Sequence, residues 1–133
     1  MIKKKIRTHK NRIKTPKRSK LIIECDKLVS KIVRLRDPYC VICGSTDRLQ
    51  CSHLIKRGKH ATRFDLTNCN TNCASCNYRH NNYPEFYTSW WLEKYGIEAY
   101  NELIAKSKEQ KKWTIPELLE LKSYLTKLLD TYL

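Results

Sequence analysis

The chain has 133 residues, the length of one compact domain or of one domain with a tail, and 27 Lys and Arg against 13 Asp and Glu give it a formal net charge of +14. No apolar run approaches the roughly 20 residues of a membrane-spanning helix. The lysine-rich start is not followed by an apolar segment or a small-residue cleavage site. A membrane protein and a secreted toxin are therefore excluded, and a 41% hydrophobic share with only three Gly and four Pro excludes a disordered or collagen-like chain.

The first element is a charge block. Residues 1–20 carry ten cations and no acid, among them Lys3, Lys4, Lys5, Arg7, Lys10 and Arg12, so the rest of the chain has a net charge of only +4. Self-repulsion and the lack of apolar periodicity predict an extended arm that seeks a polyanion. Nucleic acid fits best, since neutralised phosphates release counterions whatever the base sequence. A solubilising or targeting tail is the blander alternative.

Residues 21–133 read as a single domain. Leu21, Ile22, Cys25, Leu28, Val29, Ile32 and Val33 recur at helical spacing, predicting an amphipathic helix over Leu21–Arg36 that Asp37-Pro38 ends. Arg48–Ile55 alternates and suggests a strand or hairpin arm, Lys56–Ala61 reads as a loop around Gly58, and Phe64–Asn68 leads towards a cysteine pair. Pro84–Tyr95 predicts a helix closed by Gly96, followed by a shorter one over Ile97–Lys106. Thr114 and Glu117 match a capping box with Pro116 in the first turn, opening a leucine-bearing helix through Leu129. The aromatic group Trp90, Trp91, Tyr95 and Tyr100 has the spacing of one buried helix face rather than of a base-stacking platform.

Seven cysteines are an odd number and do not read as a disulfide framework. Four fall in two pairs of knuckle spacing, Cys40-x2-Cys43 followed by Gly44, and Cys73-x2-Cys76. Two such turns complete a tetrahedral sulfur site for which Zn2+ is the default ion. A redox-active pair usually opens a helix of a βαβ unit, and no such alternation is present. Cys25, on the apolar stripe, reads as a small buried hydrophobe. Cys69 competes with Cys73 as a ligand at poorer spacing, and Cys51 is left over.

Between the knuckles lies His53, near the end of the alternating segment and ahead of Lys56, Arg57, Lys59 and Arg63. A neutral imidazole there is suited to take a proton from water. A structural histidine or an extra zinc ligand are the competing roles. The four cations suit phosphate contacts, and His60 reads as a solvated loop residue.

Taken together, Cys40-x2-Cys43-Gly44, His53, Arg63-Phe64-Asp65, Asn68 and Cys73-x2-Cys76-Asn77 resemble the zinc-stapled branch of the HNH endonucleases. With Asn82 and Trp113-Thr114-Ile115 the pattern resembles the NinG/Rap recombination proteins of lambdoid phages, most closely from Tyr39 onwards. The resemblance implies an α+β fold: a small zinc-stabilised HNH (ββα-metal) core flanked by helices, with the basic arm in front. It implies His53 as the base that activates water, Asn68 as the residue orienting loop and base, and Asn77 at the usual metal-binding position, with His80 one turn later as its nearest substitute. Ser52 stands where many HNH enzymes have Asp, which leaves Asp65 or His80 as further ligand candidates.

The expected function is then a metal-dependent, structure-selective DNA endonuclease that uses Mg2+ or Mn2+ and cuts Holliday junctions and displacement loops in phage recombination. It would act in the cytoplasm (of the host, for a phage-encoded chain). A junction's approximate two-fold symmetry suits a homodimer. The alternatives are a non-catalytic zinc-stabilised nucleic-acid-binding module and an HNH nuclease with another role, in homing or packaging.

Overall fold

The computed structural model describes residues 14–133. In chain order these form α1 (Arg18–Arg36), β1 (Leu49–His53), a 3-10 turn (His60–Thr62), β2 (Cys69–Cys73), α2 (Ala74–Arg79), α3 (Glu85–Tyr95), α4 (Ile97–Ser107) and α5 (Ile115–Asp130). The class is mixed α and β, with one small sheet. The arm cations Lys3, Lys4, Lys5, Arg7, Lys10 and Arg12 lie outside the described residues.

Helix α1 forms where the apolar period predicts, but it starts at Arg18, inside the basic segment, where the Arg18 guanidinium donates to the Trp113 carbonyl at 2.6 Å. Its stripe Leu21, Cys25, Val29, Ile32 and Val33 is buried against α5, which contributes Leu118 and Leu125. Each of these aliphatic side chains contributes about 1.5–3 kcal/mol by leaving water. Cys25 is fully buried, as its place on the stripe predicts, and its thiol donates to the Leu118 carbonyl. The Thr114–Glu117 capping box is present and sets the start of α5.

A second core cluster gathers Leu54, Tyr87, Trp91 and Leu103, with Trp90, Tyr95 and Tyr100 partly buried around it. The aromatics are core, as their spacing predicts. Gly96, at φ +89°, makes the abrupt turn between α3 and α4 that an L side chain would resist.

Between these clusters stands the hairpin. β1 and β2 pair antiparallel from Leu49↔Cys73 to His53↔Cys69. Strand β2 escapes sequence reading because Cys-Asn-Thr-Asn-Cys has little β-propensity. It is nonetheless wholly buried, and its polar side chains work as internal struts. Thr71 donates to the Val33 carbonyl at 3.2 Å on the α1 side, while Asn70 donates to the Tyr87 hydroxyl at 2.9 Å on the α3 side. Arg36 closes the α1 side by donating to the carbonyls of Leu66 and Cys69.

Candidate functional site

The two knuckles meet at one end of the hairpin. The sulfurs of Cys40, Cys43, Cys73 and Cys76 all lie within 4.8 Å of one another, and the Cys43 and Cys73 sulfurs are 3.7 Å apart. A zinc–sulfur bond of about 2.3 Å gives a tetrahedron with edges of about 3.8 Å, which the Cys43–Cys73 separation matches. Gly44 takes φ +77° and donates its N–H to the Cys40 carbonyl, which folds the first knuckle into its turn. The second knuckle is shaped by α2, because Cys73 is the N-cap and its sulfur accepts from the Cys76 N–H at 3.4 Å. Burial works against ionisation of Cys40, but the backbone N–H groups around it outweigh burial and bring its pKa down to about 7. Cys76 is pushed up, by burial first and then by the neighbouring thiols. Four thiolates this close need a divalent cation between them. The four-cysteine set suits structural zinc.

His53 lies at the other end of β1. Because a carbonyl only accepts, its contact with the Arg63 carbonyl at 2.9 Å fixes the proton on Nε2 and leaves Nδ1 with the lone pair. Burial lowers the pKa of the ring below its ordinary 6.5, with help from Arg57 and Arg63 and against the pull of the carbonyl and Asp26, so the neutral form prevails at pH 7. Beside it opens a groove of about 350 Å³ between α1 and β1, with Lys27, Arg34 and Arg57 on its rim. None of the three forms an ion pair among the described residues.

The remaining sites predicted from sequence are dispersed. Asn77 and His80 lie on the opposite face of the hairpin from His53. Asn77 accepts from the Ser52 hydroxyl and donates to the Gln50 side chain, both at 2.8 Å. His80 donates Nε2–H to the Leu54 carbonyl at 2.9 Å and packs on Tyr87. Asn68 is fully buried and makes three bonds to Ile55 and Thr62, so it braces the loop and its side chain makes no hydrogen bond to the imidazole. The reason is the strand's period of two: Leu49, Cys51 and His53 face α1, whereas Gln50 and Ser52 face α2.

Of the loop cations, Lys56, Arg57 and Lys59 are exposed. Arg63 is instead committed internally, in a two-pronged pair with Asp26 at 2.6 and 3.0 Å. Asp65, a candidate ligand by sequence, is also engaged, accepting from Thr67 and Lys106. His60 is exposed, and its carbonyl accepts from the Trp113 indole.

Sequence reading treated Cys51 and Cys69 as leftovers. The structure brings both to His53, with the two sulfurs and a ring nitrogen within 4.8 Å of one another. The C-x-H spacing on a strand could have flagged Cys51 and His53 as sharing a face. The arrival of Cys69 depends on the hairpin register.

A model of the bacteriophage lambda NinG protein family matches residues 2–131. The chain belongs to this family. No curated protein and no solved structure matches it. The match takes in the basic segment and α1 as well as the knuckles and the later helices. NinG is a family associated with phage recombination. Among the described residues of this NinG-family chain, no helix is long and apolar enough to cross a membrane.

Two kinds of metal are expected of the chain, and their donors differ. The four paired cysteines fit zinc. Mg2+ or Mn2+ requires a shell of oxygens, but the donors gathered at His53 are sulfur and nitrogen, and the groove's carboxylate, Asp26, is held by Arg63. The residues at His53 do not fit a hard cation.

Proposed function

We propose that this chain is a structure-selective DNA endonuclease that cuts branched recombination intermediates, with the zinc-stapled hairpin as an HNH-like core. The observation that carries this reading is His53. It is a neutral imidazole with one nitrogen anchored on the Arg63 carbonyl, at the edge of a groove rimmed by Lys27, Arg34 and Arg57. A lone-pair nitrogen can take a proton from water as that water attacks a phosphodiester, a contribution of about 10² to 10⁴ in rate. The rim cations and the loop residues Lys56, Arg57 and Lys59 are suited to hold the phosphates on either side. Selectivity would come from the shape of the branch, because phosphate contacts position a protein without reading bases. Two copies would match the approximate two-fold symmetry of a four-way junction.

A second reading, a zinc-stabilised DNA-binding module without catalysis, is favoured by the internal engagement of Asn77 and His80. Incubating the full chain with four-way junction and linear duplex DNA, with Mg2+, Mn2+ or Zn2+ and with chelator, separates the two. Junction cleavage that His53→Ala abolishes while binding persists is the expected result. Unchanged cleavage by His53→Ala refutes the role of the imidazole. Binding without cleavage in every metal establishes the non-catalytic module.

A further inference from the structure

We infer that Cys51, His53 and Cys69 form a second metal site, of zinc type, whose fourth position faces the cation-rimmed groove. Three observations converge on it.

The first is the donor set. The two sulfurs and one of the two ring nitrogens lie within 4.8 Å of one another. A tetrahedral zinc ion needs separations of about 3.5 to 3.8 Å, so small side-chain rotations close the site.

The second is the support behind the imidazole. The Arg63 carbonyl accepts from Nε2–H at 2.9 Å and from the Cys69 thiol at 3.6 Å, which leaves Nδ1 as the nitrogen free to bind a metal, and the Arg63 side chain is itself fixed by Asp26. A metal-binding histidine commonly donates its other nitrogen to such an outer partner, which fixes tautomer and ring orientation.

The third is access. Buried cysteines usually serve as small hydrophobes, and Cys69 is fully buried. Cys51 and His53, however, line the groove together with Lys27 and Arg34. Three protein ligands with one position open to solvent describe a catalytic zinc rather than a structural one, which would be closed by a fourth residue. Asp26 is the nearby carboxylate, and its pair with Arg63 keeps it from closing the site. A Cys51–Cys69 disulfide is the competing use of the two thiols. It is disfavoured because Cys51 pairs with Thr71 and Cys69 with His53, which sets the two cysteines diagonally across the ladder.

The site concerns metal binding and stands whether or not the chain cuts DNA. It does alter the part His53 plays, from base to ligand. The test is therefore metal content, measured apart from cleavage. Full-length protein purified under reducing conditions and analysed by native mass spectrometry with elemental analysis is expected to hold two zinc ions per chain. Cys51→Ser and His53→Gln are each expected to reduce that to one while the helical circular dichroism persists. Cobalt exchanged into the wild type should give thiolate–cobalt absorption from two sites, and Cys51→Ser should remove the part due to one. A single zinc per chain in the wild type, two zinc ions retained in Cys51→Ser, or a Cys51–Cys69 disulfide found by peptide mapping would each overturn the site. If the wild type holds one zinc while His53→Ala still abolishes cleavage, the second site falls and the nuclease reading stands.

Discussion

Replacing Asn68 by Ala should strike the fold harder than the chemistry. The side chain is fully buried, its Oδ1 accepts from the Ile55 N–H at 2.8 Å, and its Nδ2 donates to the carbonyls of Ile55 and Thr62, both at 3.1 Å. It thus clips both ends of the loop that carries Lys56, Arg57 and Lys59. Alanine removes three hydrogen bonds, each with a net contribution of about 1 kcal/mol, and strands a buried N–H at a cost of about 1–3 kcal/mol. The expected loss is roughly 4–6 kcal/mol, in the large tail of single substitutions. Asn68→Asp should be no better. It retains the acceptor for Ile55 but turns a carboxylate oxygen towards two carbonyls. Urea unfolding at constant zinc measures the loss as a shift of midpoint with the slope unchanged. Since Asn68 makes no hydrogen bond to His53, cleavage per folded molecule should fall far less than it does for His53→Ala. A loss below about 1 kcal/mol, or a kinetic defect equal to that of His53→Ala in a fully folded protein, would refute the assignment of Asn68 as a brace.

Other perturbations probe separate parts of the molecule. Cys43→Ser or Cys76→Ala, like strong chelation, should release zinc and unfold the hairpin together with α2, since metal binding at such a site contributes directly to folding; a zinc-free variant with native circular dichroism would contradict this. Glu117, drawn down to about 2 by Lys111 and then by Thr114, has a folded-state pKa below its ordinary 4.5. The sign follows: its contribution to α5 is complete above pH 4.5 and is lost as pH falls towards 2. Acid titration followed by circular dichroism should therefore show a low-pH loss of helix that Glu117→Gln lessens; equal titration curves would exclude the capping carboxylate as the cause. Deleting residues 1–13 removes Lys3, Lys4, Lys5, Arg7, Lys10 and Arg12. If the arm contacts phosphate, the slope of log affinity against log salt should flatten by up to about 5; an unchanged slope would place the contacts elsewhere.

What could be read from the sequence, and what could not, follows from where each signal resides. α1 and α5 were legible because a helix packed on one side leaves an apolar stripe, and Thr114, Glu117 and Gly96 mark ends through local chemistry. The knuckles were legible because two sulfurs of one turn need a fixed spacing. Strand β2 was not legible, because its stability comes from the partners of its polar side chains, such as Tyr87 for Asn70 and Val33 for Thr71. Nor was the loss of Arg63 to Asp26, a pairing between residues on separate elements.

The hairpin register accounts for the largest gap between expectation and structure. A strand turns consecutive side chains to opposite faces, so Ser52 and His53 cannot serve one centre while both follow the pleat. Ser52 faces α2 and donates to Asn77, whereas His53 faces α1 and meets Cys69 across the ladder. A slip of one residue would exchange these faces and carry His53 to the side of Asn77 and His80. That slip is prevented from both sides. Thr71 holds Val33 and also accepts the Val41 N–H from the first knuckle, while Tyr87 bonds at once to Asn70 and to the Ser52 carbonyl. The chemistry around His53 therefore draws on α1, the Arg63 carbonyl and two cysteines, and a motif read in one dimension joins it to residues on the far side of the sheet.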